Sequence, residues 1–150
     1  MPHDLTRFKK AQERDYETAL TEIRAGEKQS HWMWYIFPQL AGLGFSEISK
    51  YYGIKGIEEA RAYLADDFLR SHLVEISEGL LVLESNNATQ VMGYPDDLKL
   101  KSSMTLFLLA SGHNAKYEKE ARMFKAVLDK YFGGEMDGQT VEMTQKEIQC

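Results

Sequence analysis

The sequence predicts an all-α protein, a compact multihelical single domain. Three observations predict it. Apolar residues recur at steps of three and four over most of the 150 residues, which lines one face of a helix. No segment of useful length alternates at period two, apart from Leu98–Lys101 and a few residues of Trp32–Phe37, where a minor β element competes with helix. Connections are short, and no repeat, low-complexity run or linker divides the chain. One domain therefore spans residues 1–150, since a second would be too small to carry its own core.

Each element has its own signal. Asp4 can cap a first helix whose apolar positions are Leu5, Phe8, Tyr16, Ala19, Leu20 and Ile23, with Gly26 as an αL stop. Ser46 precedes a short helix over residues 47–52, closed by Gly53. After Gly56, Ile57, Ala60 and Leu64 share a face. Asp66 or Asp67 then caps the clearest segment, where Leu69, Leu73, Ile76, Leu80 and Leu83 form one stripe. Asn86 and Asn87 end it, and a short turn over 88–92 follows. A further helix starts near Asp96 and runs to Gly112. The last strong pattern, Tyr117, Ala121, Phe124, Val127, Leu128 and Tyr131, stops at Gly133–Gly134, leaving a tail over 135–150 that forms one short helix or frays.

Composition narrows the function. Lys and Arg number 18 against 23 Asp and Glu, a formal charge of −5. That balance argues against a duplex nucleic-acid binder, which needs excess cations to neutralise phosphates. The lone cysteine, Cys150, can form no intramolecular disulfide and is a poor preorganised nucleophile. The start MPHDLTRFKK lacks an apolar signal core, and no apolar run approaches the roughly 20 residues that span a bilayer. A cytoplasmic protein without membrane contact is the expectation; oligomeric state is left open. The four histidines lack metal-ligand spacing, and no dinucleotide or Walker pattern is present, so neither metal nor cofactor is expected.

Two stretches stand out. Ser30–Gly44 crowds Trp32, Trp34, Tyr35 and Phe37 beside Lys28, His31 and Gln39. These aromatics either fill the centre of a core or offer flat stacking surface to a planar ligand. Regular structure should point them in different directions, so that they cannot all face one core. Pro95–Phe107 carries Asp97, Lys99, Lys101, Ser102 and Ser103 near a helix start. That is an ordinary solvated first turn, or an anion cradle of ammonium, hydroxyl and free amide groups.

The segments FKKAQERDYETALTEIRAGEKQSHWMWYIFPQLAGLGFS, YLADDFLRSHLVE, GYPDDLKLKSSMTLF and LDKYFGG resemble an uncharacterised bacterial family of unknown function, some of whose members are mislabelled calpastatin. The match covers about residues 4–134 and is carried by HWMW-IFPQ and D-LKL-SSMTLF. It implies a mainly α-helical single domain and no established reaction. The order F-x-x-A-Q at Phe8–Gln12, a Lys-bearing aromatic segment and then Lys99–Phe107 is more distantly similar to the YbiA-like riboside and ADP-ribose N-glycosidases. That likeness implies a pocket for a phosphorylated sugar and, if the protein is an enzyme, a hydrolase.

Two functional classes follow. The first is a pocket for a small anionic planar ligand, such as a nucleotide or phosphorylated riboside. Trp32 or Trp34 would stack; Lys99 and Lys101, with Ser102 and Ser103, would hold the anion; Gln12, His31 and Gln39 would hydrogen-bond, with Lys28 also at the ligand; in catalysis His31 would be a general acid or base with Asp97 orienting or activating water. The second is a non-catalytic module that binds a protein partner through an aromatic surface.

Overall fold

The structure, a computed structural model, describes residues 3–112 and 114–149, with the backbone alone at 146, 148 and 149. Cys150 and His113 lie outside the described residues.

The chain winds through α1 (Thr6–Arg24), α2 (Met33–Ile36), α3 (Glu47–Tyr52), α4 (Ile57–Ala65), α5 (Asp67–Leu81), α6 (Ala88–Met92), α7 (Asp96–Ser111), a 3₁₀ turn (Ala115–Tyr117), α8 (Glu118–Phe132) and α9 (Gly138–Gln149). Four of the five residues of the predicted stripe are inside α5: Leu69, Leu73, Ile76 and Leu80 are all buried and face α1, α4 and α8, whereas Leu83 lies past the end of the helix at Leu81 and is half-buried. Asp66 is its cap, accepting from the Leu69 amide at 3.0 Å. Gly26 adopts the expected left-handed conformation, φ 80°.

The most enclosed helix is α7, packed against α4, α6, α8 and α9. It buries Leu100, Met104, Leu106, Phe107 and Ala110, and with them Ser102, Ser103 and Thr105. Small hydroxyls are tolerated there because they turn back on their own helix: Ser102 donates to the Leu98 carbonyl at 3.2 Å and Thr105 to that of Lys101 at 2.8 Å. The Ser103 hydroxyl is buried without a partner, and we have no physical account of it.

Residues 32–37 correct two expectations. They form no β element; the chain makes the single helical turn α2, with the Ile36 amide on the Trp32 carbonyl at 3.2 Å. Among the described residues the only β contact is an isolated bridge, Leu40 to Ile54. Nor does divergence keep the aromatics out of the core. Trp32, Met33, Tyr35, Ile36 and Phe37 are all buried, and Trp34 alone is partly exposed. The segment threads between α1 and α3 and is covered on several sides, so side chains leaving in different directions all reach core.

The tail is a helix. Its Thr140 and Thr144 are buried, and the preceding Asp137 amide donates to Thr105 Oγ1 at 2.9 Å. Glu147 reaches the start of α4, accepting from the Ile57 amide at 2.7 Å. Glu147→Ala is therefore expected to cost about 0.5–2 kcal/mol, as loss of a helix cap does; no change in the urea midpoint would show that the contact is idle. Among the described residues no helix is long and apolar enough to cross a membrane.

Candidate functional site

The bridge between Leu40 and Ile54 fixes where charge collects. The Ala41 amide donates to Ile54 at 2.7 Å and the Ile54 amide to Gln39 at 2.9 Å. Residues 41–53 are thereby closed into an excursion carrying α3, which lies against the first turns of α1. A cleft of about 630 Å³ opens there. It is lined by His3, Asp4, Thr6, Arg7 and Lys10 at the start of α1, Lys50 and Tyr51 on α3, and Lys55 and Glu59 at the start of α4.

Its floor is a buried ion pair. Glu59, 3% exposed, accepts from Arg7 Nη2 at 2.8 Å and the Lys55 amide at 3.2 Å, and lies 3.4 Å from His3 Nδ1. Arg7 also donates to the carbonyls of Asp4 and Gly53. The walls differ from the floor. Among the described residues, Lys10, Lys50 and Lys55 have no carboxylate within 4 Å. Four permanent cations thus face two carboxylates, a local surplus on a chain of net charge −5.

Behind α3 lies a narrow slot lined by Met33, Trp34, Phe37, Gln39, Ser49, Tyr52, Gly53 and Lys99. The Lys99 ammonium sits 5.0 Å above the Trp34 ring and 3.4 Å from Asp96. The structure thus brings together three residues expected at the site: Trp34, Gln39 and Lys99.

The others serve elsewhere. Trp32 is 1% exposed and donates its indole N–H to Glu22 at 2.9 Å. Lys28 is tucked over the Trp32 ring at 4.8 Å and paired with Asp96 at 2.8 Å. Lys101 pairs with Glu135 at 2.5 Å. Asp97 accepts from Thr89 Oγ1 at 2.7 Å and from the Leu98 amide at 2.9 Å. His31 is exposed and, like Lys101, lines none of the three cavities among the described residues.

Gln12 is a buried brace. It donates to the Tyr35 carbonyl at 2.8 Å and the Tyr63 hydroxyl at 2.9 Å. A carbonyl only accepts, so the amide orientation is fixed, and Gln12 Oε1 faces His72 Nδ1 at 2.9 Å. The proton therefore sits on Nδ1. The His72 ring stacks on Tyr16 with centroids 3.6 Å apart, and burial pushes its pKa down. Asp15 accepts from the Tyr35 hydroxyl and Arg14.

Sequence reasoning missed the cleft residues. Arg7 and Lys10 share a helix face, but nothing local joins them to Lys50 and Lys55. Among the described residues no group of three or more His, Cys, Asp or Glu could hold a metal ion.

Residues 2–144 match the family described as protein of unknown function (DUF1810). The chain belongs to this family. The resemblance carried by HWMW-IFPQ and D-LKL-SSMTLF thus holds, and the match runs on into α9. Fold similarity agrees. This DUF1810 chain is similar to the crystal structure of the conserved hypothetical protein Rv1873 from Mycobacterium tuberculosis, at 43% identity and a TM-score of 0.87. The likeness covers 97% of this chain and 99% of that one. No curated protein matches the chain.

Proposed function

We propose that this DUF1810 protein binds a small phosphorylated compound, of the nucleotide or phosphorylated-riboside class, in the cleft between α1 and α3. One observation carries the reading: Lys10, Lys50 and Lys55 line one cavity of about 630 Å³, with no carboxylate partner among the described residues. That volume suits a small ligand, and unpaired ammonium groups gathered in a concave site raise the local concentration of anions. The lysines first expected to hold the anion differ in this respect, since Lys28, Lys99 and Lys101 each already meet a carboxylate. The cleft supports binding rather than hydrolysis of a riboside or ADP-ribose derivative. Its floor carboxylate, Glu59, is already engaged by Arg7 and a backbone amide.

Ribose 5-phosphate at 100 times its dissociation constant should stabilise the fold by about 2.7 kcal/mol, visible as a raised melting temperature. The double variant Lys50→Ala, Lys55→Ala should weaken binding by about a hundredfold or more, because each charge-assisted contact contributes roughly 1.5–3 kcal/mol. Lys101→Ala should leave affinity unchanged. A panel of phosphorylated ligands giving no calorimetric heat and no stabilisation at millimolar concentration would defeat the reading.

A second reading, a protein-interaction module, is favoured by the apolar side chains on the same excursion: Phe45 is 87% exposed and Tyr51 61%, with Ile48 beside them. Self-association through this face would appear in light scattering as a mass that falls on dilution and is lost in Phe45→Ser.

A further inference from the structure

The slot behind α3 contains recognition groups that the fold leaves unused. Among the described residues, neither the Trp34 indole N–H nor the Gln39 carboxamide hydrogen-bonds to protein, whereas the Trp32 indole N–H is taken by Glu22. Lys99 is lightly held, because Asp96 is closer to Lys28, at 2.8 Å, than to Lys99, at 3.4 Å. A ring face, an N–H donor, a carboxamide and a movable ammonium suit a planar heteroaromatic ring with acceptors on its edge.

Cleft and slot share one wall. Lys50 and Tyr51 line the cleft, while their neighbours Ser49, Tyr52 and Gly53 line the slot. That wall is α3, none of whose residues is buried. It hangs from Gly42, at φ 97°, and returns through Gly53, where an added Cβ would lie 2.7 Å from Ala41. The Leu40–Ile54 bridge clasps the base of the excursion. A short helix held to the core mainly through one partly buried ring, Tyr52 against Phe8 and Tyr35, on a firm base, is the kind of segment that moves on binding. Movement is needed, because the free volume of the slot is about 10 Å³, room for a single water.

We infer that Trp34, Gln39 and Lys99 form a second subsite, for the planar base of a nucleoside monophosphate whose phosphate sits among Lys10, Lys50 and Lys55. The base stacks on Trp34 once α3 is displaced outward and the Lys99 side chain turns off the ring. This subsite rests on the anion-binding reading of the cleft, and the test separates the two.

Adenosine monophosphate and ribose 5-phosphate are titrated calorimetrically into the full chain and into Trp34→Ala, Trp34→Phe, Gln39→Ala and Lys55→Ala. The nucleotide should bind the unaltered protein about ten- to a hundredfold more tightly than ribose 5-phosphate, as ring stacking would give. Trp34→Ala should remove that advantage and leave ribose 5-phosphate binding as it was, while Trp34→Phe, which keeps a ring, should retain part of it. Lys55→Ala should weaken both ligands. If Trp34→Ala does not fold by circular dichroism, Gln39→Ala decides, with a severalfold loss expected for the nucleotide alone. Equal affinity of the two ligands overturns the subsite, as does a nucleotide advantage that survives both Trp34→Ala and Gln39→Ala. If the nucleotide also depends on Lys55, the cleft reading stands and the subsite alone falls. Binding of neither ligand overturns both.

Discussion

Ile76→Ala is expected to lower the free energy of unfolding by about 2–5 kcal/mol, the range for emptying a packed aliphatic site. Ile76 is fully buried at the middle of α5, the helix that touches α1, α4 and α8 at once. Three neighbouring helices cannot all relax into the same void, which places the site toward the upper end of that range. Ile76→Val removes one methylene and should cost only about 0.5–1.5 kcal/mol. Urea unfolding checks both, with an unchanged slope confirming that stability rather than the unfolded ensemble has moved. A cost below about 0.5 kcal/mol for the alanine variant, typical of a surface position, would show that α5 does not bind the helices together.

Glu22 carries the second large effect. One carboxylate accepts from the Gln29 amide at 2.7 Å, the Ser30 amide at 2.9 Å, the Ser30 hydroxyl at 2.5 Å and the Trp32 indole at 2.9 Å. It therefore folds the loop between α1 and α2 onto the end of α1 and sets the depth of Trp32. Glu22→Ala leaves a buried indole N–H with no acceptor, and a loss of about 2–4 kcal/mol is expected. The same group makes stability depend on pH. Burial pushes the Glu22 carboxyl up, but the hydrogen bonds from Ser30, Gln29 and Trp32 outweigh it and hold the pKa down to about 2, against 4.5 for an ordinary glutamate. A pKa depressed by folding stabilises the native state above the unfolded value and loses that contribution as pH falls through the folded one. The stability gap between the unaltered protein and Glu22→Gln should accordingly be full above about pH 5 and narrow from pH 4.5 toward 2. A gap that stays constant over that interval would mean that the carboxylate is not the acceptor.

The helical frame was legible because most helices bury one face. Leu69, Leu73, Ile76 and Leu80 show the period directly, and all four are inside. Where a helix is enclosed on every side the period fades: α7 buries Ser102, Ser103 and Thr105 as well as Leu100 and Phe107. Hydroxyls that satisfy themselves on the helix backbone look in sequence like an anion cradle. The aromatic run at 32–37 left core and ligand surface as alternatives, because its burial comes from several partners that the local sequence does not name. Of the candidate site, Trp34, Gln39 and Lys99 were picked out by residue type, and the fold brings them to one slot. The cleft was not, since Arg7, Lys50 and Lys55 meet only through the pairing of Leu40 with Ile54, and the net charge of −5 hides a local surplus.

That pairing also divides the molecule into parts that can change at different rates. Residues 41–53 leave and re-enter the frame at one point, so positions other than Leu43, Tyr52 and Gly53, which touch the core or Arg7, can be edited with little effect on α1, α4 or α5; surface loops with joined ends accept such changes at little thermodynamic cost. Lys50 and Tyr51 are on the editable piece, whereas Arg7, Lys10 and Glu59 are on the frame. A transplant of this segment between members of the family, with Leu43 and Tyr52 kept, should therefore exchange the Lys50 and Tyr51 wall of the cleft and leave the melting temperature of the recipient nearly where it was.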